Sequence, residues 1–373
     1  MDPQVSKVRE ENDILTFCLS GLNVCYANSI RRIILSEIPT IVFKTMPYEE
    51  NKCTIYKNTT KLNNEILKQR LSCIPIHIQD LTTPIEKYIM ELHVENNTEI
   101  IQIVTTKDFK IKNRETNTYL SETDTRKIFP PFIGLGNSQE YYIDFVKLLP
   151  KISETIPGNE IHLECEFSIV HAKEDSMFNV VSTCSYGNTL DEKKIDDALK
   201  DKMLQWKEEG KTKEEITFET KNWKTLEAKR LFIPNSFDFM IQSVGVLDNR
   251  YLVKKACSIL EDKLVRFLDG IQNNDVKIAD SQTTIPNCYD VFIADAYFEI
   301  GSILNHVIYT DYYNGEVKIL SYVGFKKMHP HDDASILRMA FDGEHNGHNT
   351  IIQIMENSVK KIVKIFQKIN KLF

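Results

Sequence analysis

The chain has 373 residues, 42% of them hydrophobic, enough for two or three domains with buried cores, so it is not disordered throughout. Forty-six Lys and Arg stand against 53 Asp and Glu, a net charge of −7. Proteins that grip DNA or RNA through their own surface carry a basic excess, so this balance argues against a dedicated nucleic-acid binder and leaves room only for a local basic patch.

Residues 13–19 are β-branched and apolar enough to form a strand, closed by Gly21. Val24, Ala27, Ile30 and Ile34 then recur at three- and four-residue spacing, a helix face that Pro39 stops. A strand follows at 41–46. Residues 58–76 hold a short helix running into a strand limited by Pro75. Between 88 and 148 strand-like runs, among them 100–104 and 141–145, alternate with turns, and 113–140 is polar and then Pro/Gly-rich, as loops are. Residues 160–170 and 178–186 predict a pair of strands. The stretch 188–224 is strongly charged, and Ile195, Leu199, Met203 and Trp206 predict one surface amphipathic helix with Trp206 packed inward.

A strand at 231–241 precedes a long helix capped by Asp248, with the apolar face Val253, Ala256, Leu260, Leu264 and Phe267 and with Gly270 at its end. Residues 272–284 read as a linker. A strand at 290–297, a helix at 300–311 (Ile300, Leu304, Val307, Ile308) and strands at 316–325 and 335–341 follow. In the final helix Ile352, Met355, Val359, Ile362, Phe366, Ile369 and Phe373 form a narrow seam, expected to face one partner element. Lys360, Lys361, Lys364, Lys368 and Lys371 lie off it, suited to the helix's negative end. Strand, helix, strands and long helix thus occur twice, the first set split by a large insertion, which points to two related halves.

Eight cysteines stand at 18, 25, 53, 73, 165, 184, 257 and 288, no two closer than seven residues. A zinc ribbon needs close pairs, so these read as reduced core thiols of an intracellular protein. The amino terminus predicts no signal peptide, and no apolar run is long enough to cross a bilayer. Gly134-Leu135-Gly136 lacks the third glycine of a phosphate loop, and there is no G-x-S-x-G elbow. His329 and His331, with Asp332 adjacent and His345 and His348 beyond, form the one candidate metal cluster, since H-x-H on a strand puts both imidazoles on one face.

Three stretches resemble the alpha-like subunits of multisubunit DNA-dependent RNA polymerases, the family of bacterial alpha and of the third- and eleventh-type subunits of archaea and eukaryotes. Ala27-Asn28-Ser29-Ile30-Arg31-Arg32-Ile33-Ile34-Leu35-Ser36-Glu37-Ile38-Pro39-Thr40 follows the pattern A-N-A-[LI]-R-R-[IV]-[LM]-[LI]-[SA]-E-[IV]-P-T. Asn58-Thr59-Thr60 through Glu65, then Arg70-Leu71-Ser72-Cys73-Ile74-Pro75-Ile76, is similar to N-T-[ST]…D-E…R-L-G-L-I-P-[LI], with Asn64 for Asp and Ser72 for Gly. His171-Ala172-Lys173 resembles H-A-K-[WF]-x-P without the aromatic residue and the proline. In the tail, 324–330 resembles the eleventh-type G-Y-x-x-P-H-P, with Met328 for the first Pro, and Gly301-Ser302-Ile303-Leu304 resembles G-N-L-L. Third- and eleventh-type subunits are thus similar to the two ends of one polypeptide, as in fusions of large cytoplasmic DNA viruses.

The resemblance implies an α+β chain with two alpha-like dimerisation domains. The first would comprise 1–50 and 159–272, interrupted by a mostly β insert domain at 51–158 and carrying the charged insertion 188–230; the second would be 273–373. It implies subunit contacts through Asn28, Arg31, Arg32, Glu37, Glu65, Arg70, His171 and Lys173. Glu65 and Arg70 also flank one helical stretch, which places them to lock a strand starting at Ile74. The halves would pair through Ala27, Ile30, Ile34, Leu260, Leu264, Gly301, Leu304, Val307, Met355, Val359, Ile362 and Phe366. No catalytic residue is implied. Magnesium and zinc would belong to partners, namely the largest and second-largest polymerase subunits and small zinc-binding adaptors. DNA would be met only through the complex, and no membrane. The location would be intracellular or, for a viral chain, the virion and host cytoplasm. Two other classes fit the residues alone: a regulatory adaptor with an alpha-like fold, and a metalloprotein or hydrolase using the His-rich tail.

Overall fold

A computed structural model describes residues 2–134, 139–153, 155–294, 298–329, 331–343 and 347–373. Leu135 and Gly136 of the weak glycine motif, the end of the expected strand 290–297, Pro330 and His345 lie outside the described residues. Contacts divide the chain into two compact units: Met1–Ile34, Thr183–Gln242 and Asn249–Phe373 form the first, Leu35–Ser182 and Ser243–Asp248 the second. The expected boundaries at 51 and 158 fall inside the second unit.

The first unit opens with β1 (Gln4–Glu11) and β2 (Ile14–Ser20), an antiparallel hairpin. Its two turn residues, Asn12 and Asp13, both have positive φ, the turn that matches strand twist. β1 was invisible to a hydrophobic reading because its side chains are nearly all exposed. α1 (Val24–Ser36) follows, with Asn23 accepting the Cys25 N–H at 3.1 Å. Ala27, Ile30, Ile33 and Ile34 on it are fully buried.

In the second unit, β3 (Thr40–Phe43), β4 (Cys53–Asn58), α2 (Asn64–Ser72), β5 (Tyr88–Glu95), β6 (Gln102–Thr105) and β7 (Lys110–Asn113) are followed by α3 (Glu122–Ile128). Then come β8 (Phe132–Ile133), β9 (Glu140–Tyr141), β10 (Asp144–Leu148) and β11 (Glu160–Val170). A five-stranded sheet centres on β11, which pairs β3 and β4 along one edge and β5 along the other, with β7 outside β5. Its inner face packs Phe43, Met90, Leu92, Leu163 and Phe167 against Leu67 and Leu71 of α2 and against Phe109, Phe129 and Phe145.

No strand begins at Ile74. Pro75 has no N–H to give a ladder, and Ile74 and Ile76 are held by burial in this core. Arg70 locks β10 instead: its guanidinium donates to the Asp144 and Phe145 carbonyls, both at 2.8 Å.

β12 (Val181–Leu190), α4 (Glu192–Glu208), α5 (Lys213–Thr225), β13 (Phe232–Ser243) and α6 (Asn249–Gln272) complete the first half of the first unit. The expected pairing of 160–170 with 178–186 does not occur. Both edges of β11 are taken, and β12 pairs β13 in a sheet of order β1-β2-β13-β12. The charged stretch is two helices, not one. Gly210, with φ of +78°, ends α4, and Thr212 starts α5 with a capping box to Glu215. Trp206, Trp223 and Ala228 form a small buried core of their own. Gly270 sits within α6 rather than beyond it. The left-handed position is Asn274, and the Gly270 carbonyl accepts the N–H groups of Asp275 and Val276.

The tail consists of β14 (Ile278–Asp280), inside the expected linker, then β15 (Cys288–Ala294), α7 (Phe298–Ile308), β16 (Leu320–Lys326), β17 (Ala334–Phe341) and α8 (Gly347–Lys371). Its sheet has the order β14-β15-β17-β16. In each half, then, the strands run first, second, fourth, third across the sheet, and a helix follows the second strand and the fourth. α8 buries a wider stripe than the expected seam. Ile351, Ile354, Ser358 and Ile365 join Met355, Val359, Ile362, Phe366 and Ile369, because α8 packs on both α6 and α7.

The tail sheet is pinned by a bidentate ion pair between cross-strand neighbours. Arg338 Nε and Nη2 donate to Asp290 Oδ1 and Oδ2 at 2.7 and 2.8 Å, and Ser281 adds a third hydrogen bond. The Arg338 guanidinium holds the Asp290 carboxyl below its ordinary value of 3.8. A lowered pKa in the folded state means that the pair's stabilisation is complete above the unfolded value and is lost as pH falls through the folded one. Asp290→Asn is therefore expected to cost about 2 kcal/mol at neutral pH. Its stability curve should converge with that of the parent as pH falls through the lowered folded-state pKa of Asp290, in acid titrations followed by circular dichroism.

Candidate subunit-pairing site

The small side chain of Ala27 and the flat row Ile30–Ile34 leave α1 able to lie close against neighbours, and the first unit uses that face fully. Tyr26 on α1 meets Phe366 on α8, ring centroids 5.6 Å apart. Phe17 of β2 stacks on Phe239 of β13 at 5.0 Å and takes the edge of Phe373 at 4.7 Å. Burial pushes the Tyr26 phenol well above its ordinary range, so the ring is neutral in this seam. α6 lies along α8. Leu260, Leu264, Leu304, Val307, Met355, Val359, Ile362 and Phe366 all have 1% exposure or less.

Gly301 of α7 faces Phe325 of β16, and a Cβ at this position would stand 2.0 Å from the ring. Gly301→Ala is expected to destabilise the chain by about 1–3 kcal/mol, read as a lower denaturation midpoint.

Polar contacts join the same elements. Arg32 Nε donates to Oε1 of Glu299, a carboxylate only 3% exposed at the start of α7. One turn earlier on α1, Ser29 Oγ lies 2.7 Å from the Cys25 carbonyl and 3.0 Å from the Glu299 carbonyl. Farther out, Lys361 of α8 grips Asp311 at 2.7 and 2.8 Å, and Lys368 meets Asp2 at 3.0 Å. Sequence reasoning missed Glu299. Its signal was the single carboxylate near the start of the largely apolar run 298–304.

The residues expected at subunit contacts divide between the two units. In the first, Arg31 Nε and Nη2 donate to Asn28 Oδ1 at 3.2 and 3.0 Å, and its charge faces β12, where burial still pushes the Cys184 thiol up to about 12. Arg32 turns to Glu299, as above. In the second unit Glu65 is exposed on the first turn of α2, Glu37 is half-buried just after α1, and Arg70 clamps β10. After β11 the Lys173 N–H donates to the Ser36 carbonyl at 2.7 Å, and the His171 carbonyl accepts from Glu174 at 3.0 Å.

The His-rich segment has a local explanation. His329 Nδ1 accepts the backbone N–H of His331 at 3.1 Å, and the two rings meet edge to face. Among the described residues no group of three or more His, Cys, Asp or Glu is placed to hold a metal ion. Among them also, no helix is long and apolar enough to cross a membrane.

The first unit thus holds one β-β-α-β-β-α topology twice, with α8 packed on α6 and α7. Residues 16–264 match the RNA polymerase Rpb3/Rpb11 dimerisation domain, and the chain belongs to that family. Its relatives include the mouse DNA-directed RNA polymerases I and III subunit RPAC1, 27% identical over 309 residues, covering 72% of this chain and 84% of that protein. The DNA-directed RNA polymerase subunit Rpo3 of Pyrococcus furiosus is 23% identical over 282 residues, covering 72% of this chain and 97% of its own. Rpo3 of Thermococcus kodakarensis is 35% identical over a shorter stretch of 79 residues, 21% of this chain and 26% of that protein.

Proposed function

We propose that this chain is a non-catalytic assembly subunit of a DNA-dependent RNA polymerase, in which a third-type half and an eleventh-type half are joined and pair within one polypeptide. The observation that carries the reading is the repeated sheet order, first-second-fourth-third, in both halves of one compact unit of a family member. Fusion makes pairing intramolecular, so the platform needs no second chain to form. On this reading the first pairing domain is interrupted by an insert, and the tail from about residue 273 supplies the second.

The partners would be the largest and second-largest polymerase subunits, with small zinc-binding adaptors nearby. Catalytic magnesium, and any contact with DNA, would belong to those partners. Asn28, Arg31, Glu37, Glu65, His171 and Lys173 are proposed to meet the large subunits, and Arg32 to serve both that surface and Glu299. The work would be done inside the cell, or in the virion and host cytoplasm if the joined arrangement reflects a large cytoplasmic DNA virus.

Co-expression with the two largest subunits of the cognate polymerase tests the proposal. A stoichiometric complex that survives size exclusion is expected, and Arg31→Glu should weaken it without changing the unfolding midpoint of the isolated chain. Recovery of the chain alone, or on some other complex, would favour the adaptor reading instead.

A further inference from the structure

Cys53 on β4 and Cys165 on β11 are direct register partners in an antiparallel pair. The Glu166 N–H donates to the Lys52 carbonyl at 3.1 Å, one residue beyond Cys165 and one before Cys53. A ladder bond in that position flanks a non-hydrogen-bonded pair, the closer of the two kinds, with Cα atoms about 4.5 Å apart. That spacing lies within the range a disulfide spans, about 4.4–6.8 Å. Both thiols are free, with 2% and 0% exposure, and Cys165 Sγ donates to the Glu166 carbonyl at 3.6 Å.

We propose that Cys53 and Cys165 are a peroxide-sensitive thiol pair that oxidises reversibly to a disulfide. The two sulfurs have different roles. The neighbouring Cys165 thiol, with the Lys68 ammonium adding to it, holds the Cys53 thiol below its ordinary value against the effect of burial. Burial pushes Cys165 up. Cys53, the more exposed of the two at 2% against 0%, is the attacking sulfur and Cys165 the resolving one.

The Cys53 thiolate attacks one oxygen of hydrogen peroxide. An S–O bond forms, the O–O bond breaks, and the departing hydroxide takes the thiol proton and leaves as water. The Cys165 sulfur then attacks the sulfenic sulfur. The S–S bond forms, the S–O bond breaks, and a second water leaves with the Cys165 proton. Two thiols lose two electrons and two protons, and one peroxide becomes two waters. Burial selects a small oxidant, because a bulky disulfide cannot reach either sulfur.

Oxidation would tie β4 to β11 and close segment 53–165, which contains α2, α3 and β5 to β10, into a covalent loop. The pairing helices of the first unit take no part, so this property is independent of the assembly role.

The test uses the full chain carrying Cys73→Ser, which removes an exposed competing thiol. The protein is treated with hydrogen peroxide, alkylated under denaturing conditions and digested without reduction. Mass spectrometry is expected to find a peptide joining Cys53 to Cys165, lighter by two hydrogens than its separate parts and released by dithiothreitol. The oxidised chain should also unfold at a higher temperature. With Cys165→Ser added, dimedone should trap a sulfenic acid at Cys53. Full alkylation of both cysteines after peroxide treatment would overturn the proposal, as would over-oxidation of Cys53 with Cys165 present or linkage of either to another cysteine. The readout on the Cys73→Ser parent stands even if the Cys165 variant fails to fold.

Discussion

Phe366→Ala is expected to lower the unfolding free energy by about 3–5 kcal/mol, seen as a fall in the denaturant midpoint at unchanged slope. The ring is fully buried on α8 and packs against Tyr26 of α1, which is also fully buried. Its loss leaves a cavity between elements more than 300 residues apart in the sequence, where local backbone adjustment cannot close it. Phe366→Leu keeps most of the volume and should cost less than about 1.5 kcal/mol, which keeps the comparison readable if the alanine variant does not fold. Leu372→Ala, on an exposed residue at the end of the chain, should stay within about 0.5 kcal/mol of the parent. If Phe366→Ala proved as mild as Leu372→Ala, the seam described here would not be a core.

Arg32→Ala should cost about 2–3 kcal/mol, less than the full penalty for breaking a buried pair because the guanidinium is partly exposed and water can reach it. The cost arises because Glu299 is left as an uncompensated carboxylate; a surface bridge would be worth far less. Combining Arg32→Ala with Glu299→Gln removes the charge left behind, so the double variant should be more stable than Arg32→Ala alone. A double-mutant cycle measured by chemical denaturation gives this coupling directly. Additive losses would mean that the two side chains do not depend on each other.

The helical faces of this protein were legible in its sequence because three- and four-residue spacing is a local property. Ala27, Ile30 and Ile34 on α1, and Met355, Val359, Ile362 and Phe366 on α8, were identifiable from spacing alone, and all are buried. Strand pairing was not legible. β11 and β12 are near neighbours in the chain but lie in different sheets, because β11 is enclosed by partners drawn from 40–58 and 88–95. Edge strands such as β1 and β14 carry too little apolar alternation to show themselves. The break between α4 and α5 is signalled by Gly210 and the Thr212–Glu215 capping box, but the apolar residues on either side are too sparse among the charges to mark two separate faces.

The site shows the same division. The apolar half of the seam follows from periodicity. Arg32 was placed by family pattern at an outer surface, and its buried partner Glu299 is apparent only when α1 and α7 are brought together. Arg70 likewise serves a strand 74 and 75 residues away, not the segment that follows it.

Copy number in the assembled polymerase tests the central claim most directly. If one chain supplies both pairing halves, native mass spectrometry of the complex purified through this chain should show one copy of it beside one copy of each large subunit, with no separate eleventh-type subunit. Two copies per complex, a distinct eleventh-type partner bound to α6, or no large polymerase subunit at all would contradict it.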